Sequence, residues 1–177
     1  MRKLLNEELS RLTAEQMMQQ QKLPLVVVLD NVRSHLNVGS VFRTADAFMV
    51  EAIYLCGITG TPPHRDIHKT ALGATETVQW KHFASTDEAV QELKREGYSV
   101  IAIEQAEKAM MLNDFKPAED KKYAFFFGNE VEGVSQQVID VCDNVIEIPQ
   151  FGTKHSLNIA VSAGVVIWDV FSKLKLH

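Results

Sequence analysis

The sequence predicts an α/β fold, a parallel sheet flanked by helices on both faces. Three observations predict it. Strand-like and helix-like segments alternate almost throughout the 177 residues. Leu25–Leu29 and Ala124–Phe127 are unbroken apolar runs, not in-out alternations, as strands covered by helices on both sides must be. The segment after Ser85 carries a full set of helix signals, with Ser85 and Glu88 in capping-box spacing and Gly97 at the C-terminal stop. In such a sheet ligands bind beyond the carboxyl ends of the strands, so function is sought in the turns that follow them.

Residues 4–21 are rich in Leu, Glu, Gln and Met, hold no Gly or Pro, and read as a helix that Pro24 stops. A strand at Leu25–Leu29 leads to a helix at Val38–Phe48, a strand at Ala52–Leu55, a short basic helix at His64–Leu72 and a strand at Thr77–Phe83. The capped helix Thr86–Glu96 precedes a strand at Ser99–Ile103. Gln105–Lys122 mixes charges, Pro117 and short apolar groups without period and reads as a long exposed loop. A strand at Tyr123–Phe127, a helix at Ser135–Cys142, a strand at Val145–Ile148 and a long helix from Ser156 to Leu174 complete the chain. The division is an N-terminal helical extension, 1–24, and one α/β domain, 25–177.

With 46% hydrophobic and 23% charged residues, the composition is that of a single globular domain and excludes disordered, collagen-like and multi-domain architectures. The longest nearly apolar stretch, Ile159–Trp168, is interrupted by Ser162 and followed by Asp169, too short to span a bilayer. The N-terminus turns polar at Asn6, Glu7 and Glu8 with no apolar signal core, so a cytoplasmic protein is expected. Cys56 and Cys142 lack metal-ligand or redox spacing and read as buried free thiols, and no metal is implied. The net charge of −5 speaks against a non-specific nucleic-acid binder. Residues 31–82 are less acidic than the rest, with Arg33, Arg43, Arg65, Lys69 and Lys81 against Asp46, Glu51, Asp66 and Glu76. That stretch suits phosphate, and it equally suits a solvated surface.

Three clusters follow strand ends. In the first, running from Asn31 to Asp46, Ser34 or Asn37 can cap the helix and Gly39 leaves its first turn open to close approach. Arg43 lies roughly 9 Å along the helix from Asn37, and helical side chains lean toward the N-terminus, so its guanidinium can return toward a phosphate or hydroxyl held there. Pairing of Arg43 with Asp46 explains the same spacing. The second cluster, Phe127-Gly128-Asn129-Glu130-Val131-Glu132-Gly133, lacks the Gly-Lys-Ser/Thr of a phosphate loop and the GxGxxG of a dinucleotide site. Its carboxylates repel a polyphosphate and tolerate a cationic cofactor such as a sulfonium, though Glu132 also reads as an ordinary acid at a helix start. The third cluster runs from Ile148-Pro149 to Ser156-Leu157-Asn158, with Ser156 as the cap. The helix after it carries the small residues Ala160, Ser162, Ala163 and Gly164, and so packs closely against the sheet or a partner subunit. His155 is a candidate base without an evident orienting carboxylate, and no Ser-His-Asp order or nucleophile elbow is present.

In this order the clusters resemble the SpoU (TrmH-like) branch of the SPOUT RNA methyltransferases, from about Leu25 to Lys173. The first motif appears as Asn37, Gly39, Arg43, Thr44 and Ala45, the second as Phe127-Gly128-Asn129-Glu130 with Glu132-Gly133, and the third as Ile148-Pro149, Gly152 and Ser156-Leu157-Asn158. Lys69-Thr70-Ala71-Leu72-Gly73-Ala74 looks like the basic Ala/Gly-rich element between the first two.

The resemblance implies that residues 25–177 form a methyltransferase domain whose C-terminal part is threaded into a deep trefoil knot, an exception to the rule that chains avoid knots. It implies an S-adenosyl-L-methionine pocket built by the knot, with Gly128, Ile148 and Leu157 holding the cofactor, and a homodimer paired through the same region. The residues matched to the catalytic set are Asn37, Arg43, Glu130, Ser156 and Asn158. The implied reaction is methyl transfer to a ribose 2′-hydroxyl of transfer or ribosomal RNA, with transfer RNA slightly favoured. A guanidinium with a pKa above about 12 is a doubtful general base. Arg43 is therefore expected to clamp the neighbouring phosphate and stabilise the developing alkoxide. Arg33, Arg43, Arg65 and Lys69 are the expected RNA contacts, with salt-dependent binding.

The sequence departs from the family pattern at Gln150, where Met is common, and at Ala160, where Ser often stands. Both positions bear on cofactor affinity. Only about 24 residues precede the first strand, so recognition is expected to rest with the catalytic dimer and the N-terminal helix. The alternative reading is a catalytically silent RNA- or cofactor-binding module of the same fold.

Overall fold

The computed structural model describes residues 1–5, 8–9, 12–154 and 156–176. Seven strands form one sheet: β1 (Leu23–Asp30), β2 (Val50–Cys56), β3 (Gln79–Phe83), β4 (Tyr98–Ile103), β5 (Met110–Met111), β6 (Lys122–Phe127) and β7 (Asn144–Glu147). Their order is β3-β2-β1-β6-β4-β7-β5, and every neighbouring pair is parallel. The helices are α1 (Ala14–Gln19), α2 (His35–Ala47), α3 (Arg65–Ala71), α4 (Thr86–Arg95), α5 (Gln136–Val141) and α6 (Ile159–Lys175).

The apolar runs are continuous because alternate residues serve two cores. Leu25, Val27 and Leu29 of β1 join Phe125 and Phe127 of β6 and Ile101 and Ile103 of β4 under α2, α3 and α6. Val26, Val28, Ala124, Phe126, Val100 and Ala102 face the other way, against Ala89, Val90 and Leu93 of α4 and Val138 of α5. Period-two geometry thus sends successive side chains to opposite helical layers.

The tightest helix contact is that of α2 with α3. A Cβ on Gly39 would stand 2.1 Å from Thr70 Oγ1 and 2.3 Å from the carbonyl oxygen of Ile67. The close approach expected at Gly39 is therefore made by α3, while the Thr70 hydroxyl donates to the Leu36 carbonyl at 2.9 Å.

Four sequence expectations change. Within the segment 4–21 the described helix is only Ala14–Gln19, because Thr13 caps it through a reciprocal box with Gln16; Asn6 and Glu7 lie outside the described residues. The Gln105–Lys122 segment is not simply a loop. Met110 and Met111 pair with Ile146 and Glu147 to form the β5 edge, and Leu112 and Phe115 are buried. The last helix begins at Ile159, with Asn158 and not Ser156 as its cap. Cys56 is buried as expected, whereas Cys142 is half-buried, and both thiols are free. No helix among the described residues is long and apolar enough to cross a membrane.

Candidate functional site

β6, β4 and β7 lie side by side and end together, and the chain segments that leave them enclose a cavity of about 500 Å³. Ile103, Glu104 and Gln105 come from the end of β4, Phe127 and Gly128–Gly133 from β6, and Ile148, Gln150 and Ser156–Ile159 from the segment after β7. The volume is that of a small-molecule or cofactor site. The cavity sits beyond the carboxyl ends of the strands, where a doubly wound sheet binds its ligands.

The turn after β6 is closed by its own backbone. The side chain of Asn129 accepts from the Val131 and Glu132 amides at 2.9 and 2.8 Å, and the Gly133 amide donates back to the Asn129 carbonyl at 3.1 Å. Gly128 has no room for a side chain, since a Cβ would stand 1.8 Å from the carbonyl carbon of Gly133. Both glycines of this motif thus serve the compactness of the turn, and Gly133 adopts a positive φ of 69°.

Three of the motif residues form a directed chain of hydrogen bonds. Asn158 Nδ2 donates to Asn37 Oδ1 at 3.2 Å, and Asn37 Nδ2 donates to Glu130 Oε1 at 3.1 Å. The amide orientations are set at both ends. Glu130 is an acceptor, and Asn158 Oδ1 is engaged with the Ala160 and Val161 amides of α6 at 2.9 and 3.4 Å. Ser34, not Asn37, caps α2 by accepting from the Asn37 amide at 3.2 Å, which leaves the Asn37 side chain free for the chain. Residues separated by 93 and 121 positions are joined here, and two of the three, Glu130 and Asn158, line the cavity.

Glu130 titrates under opposed influences. Desolvation pushes its carboxyl up, but hydrogen bonds from its own backbone amide, the Asn37 side chain and the Arg33 and Ser34 amides outweigh this and hold it below its ordinary value. It is a carboxylate at neutral pH. Away from the site, burial pushes the Cys56 thiol up to about 12, with the Asp30 charge adding to the shift, so that thiol is inert.

Of the residues singled out in the sequence, Gly128, Glu130, Ile148, Ser156, Leu157 and Asn158 line the cavity, and Asn37 is bonded to two of them. Arg43 is not among the lining residues. It is exposed on α2 on the same stripe as Leu36, and among the described residues it forms no ion pair; Asp46, the partner in the alternative reading of its spacing, instead accepts from the Thr77 hydroxyl at 2.5 Å. Arg33, Arg65 and Lys69 are likewise exposed, the last two on α3. His155 lies outside the described residues. Glu104 and Gln105 were missed, although the signal existed: they follow a predicted strand at its carboxyl end, where the fold places ligands. Among the described residues no group of three or more His, Cys, Asp or Glu side chains is placed to hold a metal ion.

The SpoU rRNA Methylase family profile matches residues 24–168 of this chain. A Staphylococcus haemolyticus protein assigned to the TrmH family of tRNA/rRNA methyltransferases is 33% identical over 163 residues, covering 90% of this chain and 64% of the relative. The 23S rRNA (guanosine-2′-O-)-methyltransferase RlmB of Neisseria meningitidis is 31% identical over 144 residues, covering 81% of this chain and 56% of the relative. The chain thus spans less than two thirds of the length of either relative. Among solved structures, a TrmH/SpoU tRNA modifying enzyme of A. aeolicus shares the fold at a TM-score of 0.80 and 22% identity, over 90% of this chain and 80% of that one. The AdoMet-bound rRNA methyltransferase of Sinorhizobium meliloti matches at a TM-score of 0.78 and 25% identity, over 87% of this chain and 59% of that one.

Proposed function

The chain belongs to the SpoU rRNA methylase family, and from that premise we propose that it transfers a methyl group from S-adenosyl-L-methionine to a ribose 2′-hydroxyl of RNA. The observation that carries the proposal is the hydrogen-bonded chain Asn158–Asn37–Glu130, both ends of which line the cavity beyond the carboxyl ends of β4, β6 and β7.

The cavity suits this cofactor on its own chemistry. The carboxylates of Glu130 and Glu132 in its lining suit a sulfonium and repel a polyphosphate, while Ile103, Phe127, Ile148, Leu157 and Ile159 offer apolar walls to a flat base. Gly128, Ile148 and Leu157 would hold the cofactor. When bound, it supplies an electrophilic methyl group. The protein's task is then to hold a poor nucleophile in line with that methyl. Asn158, Asn37 and Ser156 position the ribose by hydrogen bonds, and ionised Glu130 fixes the Asn37 amide. Arg43, which has no acidic partner among the described residues, clamps the adjacent phosphate through its forked donors and stabilises charge on the 2′-oxygen as its proton departs. Arg33, Arg65 and Lys69 extend the contact to RNA phosphates.

The same reading covers the assembly. Val161, Val165 and Trp168 of α6, with Leu157 just before it, leave an apolar stripe exposed at helical spacing. It supports a homodimer in which a second copy covers this helix. Lys173 Nζ donates to the Leu112 and Phe115 carbonyls at 2.9 and 2.8 Å, holding α6 against the segment that leaves β4 and returns to β6. The threading of the C-terminal part into a trefoil knot is proposed from the family alone. An RNA-modifying role also supports the cytoplasm as its place of action.

The test is transfer of labelled methyl from S-adenosyl-L-methionine to separate pools of unmodified transfer and ribosomal RNA, with Arg43→Ala as control and nuclease mapping of the product. Label recovered as a 2′-O-methylnucleotide and lost in the variant is the expected result. No label in either pool, with the cofactor bound, would replace the enzyme by a silent binding module.

A further inference from the structure

The turn from Gly128 to Gly133 forms one wall of the cavity, and its internal bonds through Asn129 close it on itself without tying it to the sheet. Two carboxylates make the outside connections. Glu130, on the exposed side, reaches α2 through the Asn37 side chain and the Arg33 amide. Glu104, the residue that follows β4, reaches from the sheet: Oε2 accepts from the Val134 amide at 3.0 Å and Oε1 accepts from the Gln105 amide at 2.8 Å. Its carboxylate therefore bridges the end of one strand and the end of the turn that leaves its neighbour. Gly133 is what admits it. A Cβ there would stand 2.1 Å from Glu104 Oε2, and the positive φ disfavours any other residue.

We infer that Glu104 is a positioning residue for the cofactor, a latch that holds the Gly128–Gly133 wall against β4 in the shape the cofactor requires. The inference rests on the proposed methyltransferase reading of the cavity. It also gives Gly133 a second physical reason beyond its own turn, since the glycine makes the space into which the latch closes. Glu104 acts through the wall and not on the reacting atoms. Its loss consequently weakens cofactor binding and leaves turnover at saturating cofactor in place.

The test uses the full chain as wild type, Glu104→Gln, Glu104→Asp, Gly133→Ala and the Gln/Ala double variant. Calorimetry reads S-adenosyl-L-methionine binding, RNA methylation at saturating cofactor reads turnover, and hydrogen exchange reads the Val134 amide. Gln keeps the reach but presents an N–H to one of two donors, and Asp keeps the charge but is one methylene too short. Each is expected to raise the cofactor Kd about tenfold, the scale of a lost hydrogen bond to a charged group, with turnover within about twofold of wild type and faster exchange at Val134. Gly133→Ala is expected to displace the carboxylate, so adding Glu104→Gln to it costs little more. Wild-type affinity and wild-type Val134 protection in both Glu104 variants would overturn the latch. So would lost turnover at unchanged Kd, or effects that multiply in the double variant. A wild-type protein that binds no S-adenosyl-L-methionine would instead overturn the reading on which the latch rests.

Discussion

Glu130 shows how a single side chain takes its properties from partners far away in sequence. Its carboxyl titrates below the ordinary 4.5 because its acceptor bonds to the Asn37 side chain and to backbone amides outweigh its desolvation. A lowered folded-state pKa means that these bonds stabilise the fold fully above pH 4.5 and are lost as pH falls through the lowered value. Glu130→Gln is expected to make the loss of stability below pH 4.5 shallower than in wild type, read by denaturant unfolding at a series of pH values; parallel curves would refute it. Arg43 poses a different question, because among the described residues it has neither an ion pair nor a place in the cavity lining. If its forked donors clamp a phosphate, Arg43→Lys keeps the charge and loses the fork, and the methylation rate falls by about 10²-fold or more. Near-wild-type turnover in that variant would remove Arg43 from the mechanism. Both residues were legible in the sequence as members of spaced motifs. The partner of Glu130 was not, since Asn37 and Glu130 are 93 positions apart and no local pattern records that they meet.

Among the elements, α2 and α6 carry the lesson about caps and contacts. Ser156 reads in the sequence as the cap of the last helix, yet the helix starts two residues later than that reading requires, and Asn158 takes the cap, spending its side-chain carbonyl oxygen on the first amides of α6 while its amide group reaches Asn37. One residue thereby starts a helix and completes the site. Gly39 read as an open first turn for a ligand, but what comes close is α3, with the Ile67 carbonyl only 2.3 Å from where a Cβ would be. Because a backbone carbonyl cannot swing aside, Gly39→Ala is expected to cost about 1–3 kcal/mol by overpacking. Thermal unfolding should register this as a midpoint lower by roughly 3–10 °C, and an unchanged midpoint would show that α3 is free to shift. The short edge strand β5 escaped the sequence reading for a related reason. Two methionines in a mixed polar segment have no period, and only the exposed edge of β7 makes them a strand.

For the molecule as a whole, the open question is what covers α6. Its inner face, with Ala163, Val166, Ile167 and Val170, is buried in the main core, and its outer face leaves Val161, Val165 and Trp168 to solvent. Trp168 also stacks on Phe171 with ring centroids 6.1 Å apart and lies 5.6 Å from Phe48, so one edge of the outer face packs against rings of its own chain. Trp168→Asp is expected to convert a dimer to a monomer in sedimentation, with a large loss of methylation, and a monomeric wild type would refute the dimer. The class of fold, the order of its main elements and the three motifs were legible residue by residue, because unbroken apolar runs, caps and turn residues act over a few positions and leave local marks. The tertiary structure alone decided the strand order β6-β4-β7, the meeting of Asn37, Glu130 and Asn158, and the place of Glu104 behind Gly133. Those depend on which strands lie side by side, and that is settled by burying two apolar faces of one sheet at once, a condition on the whole chain that no short stretch of it contains.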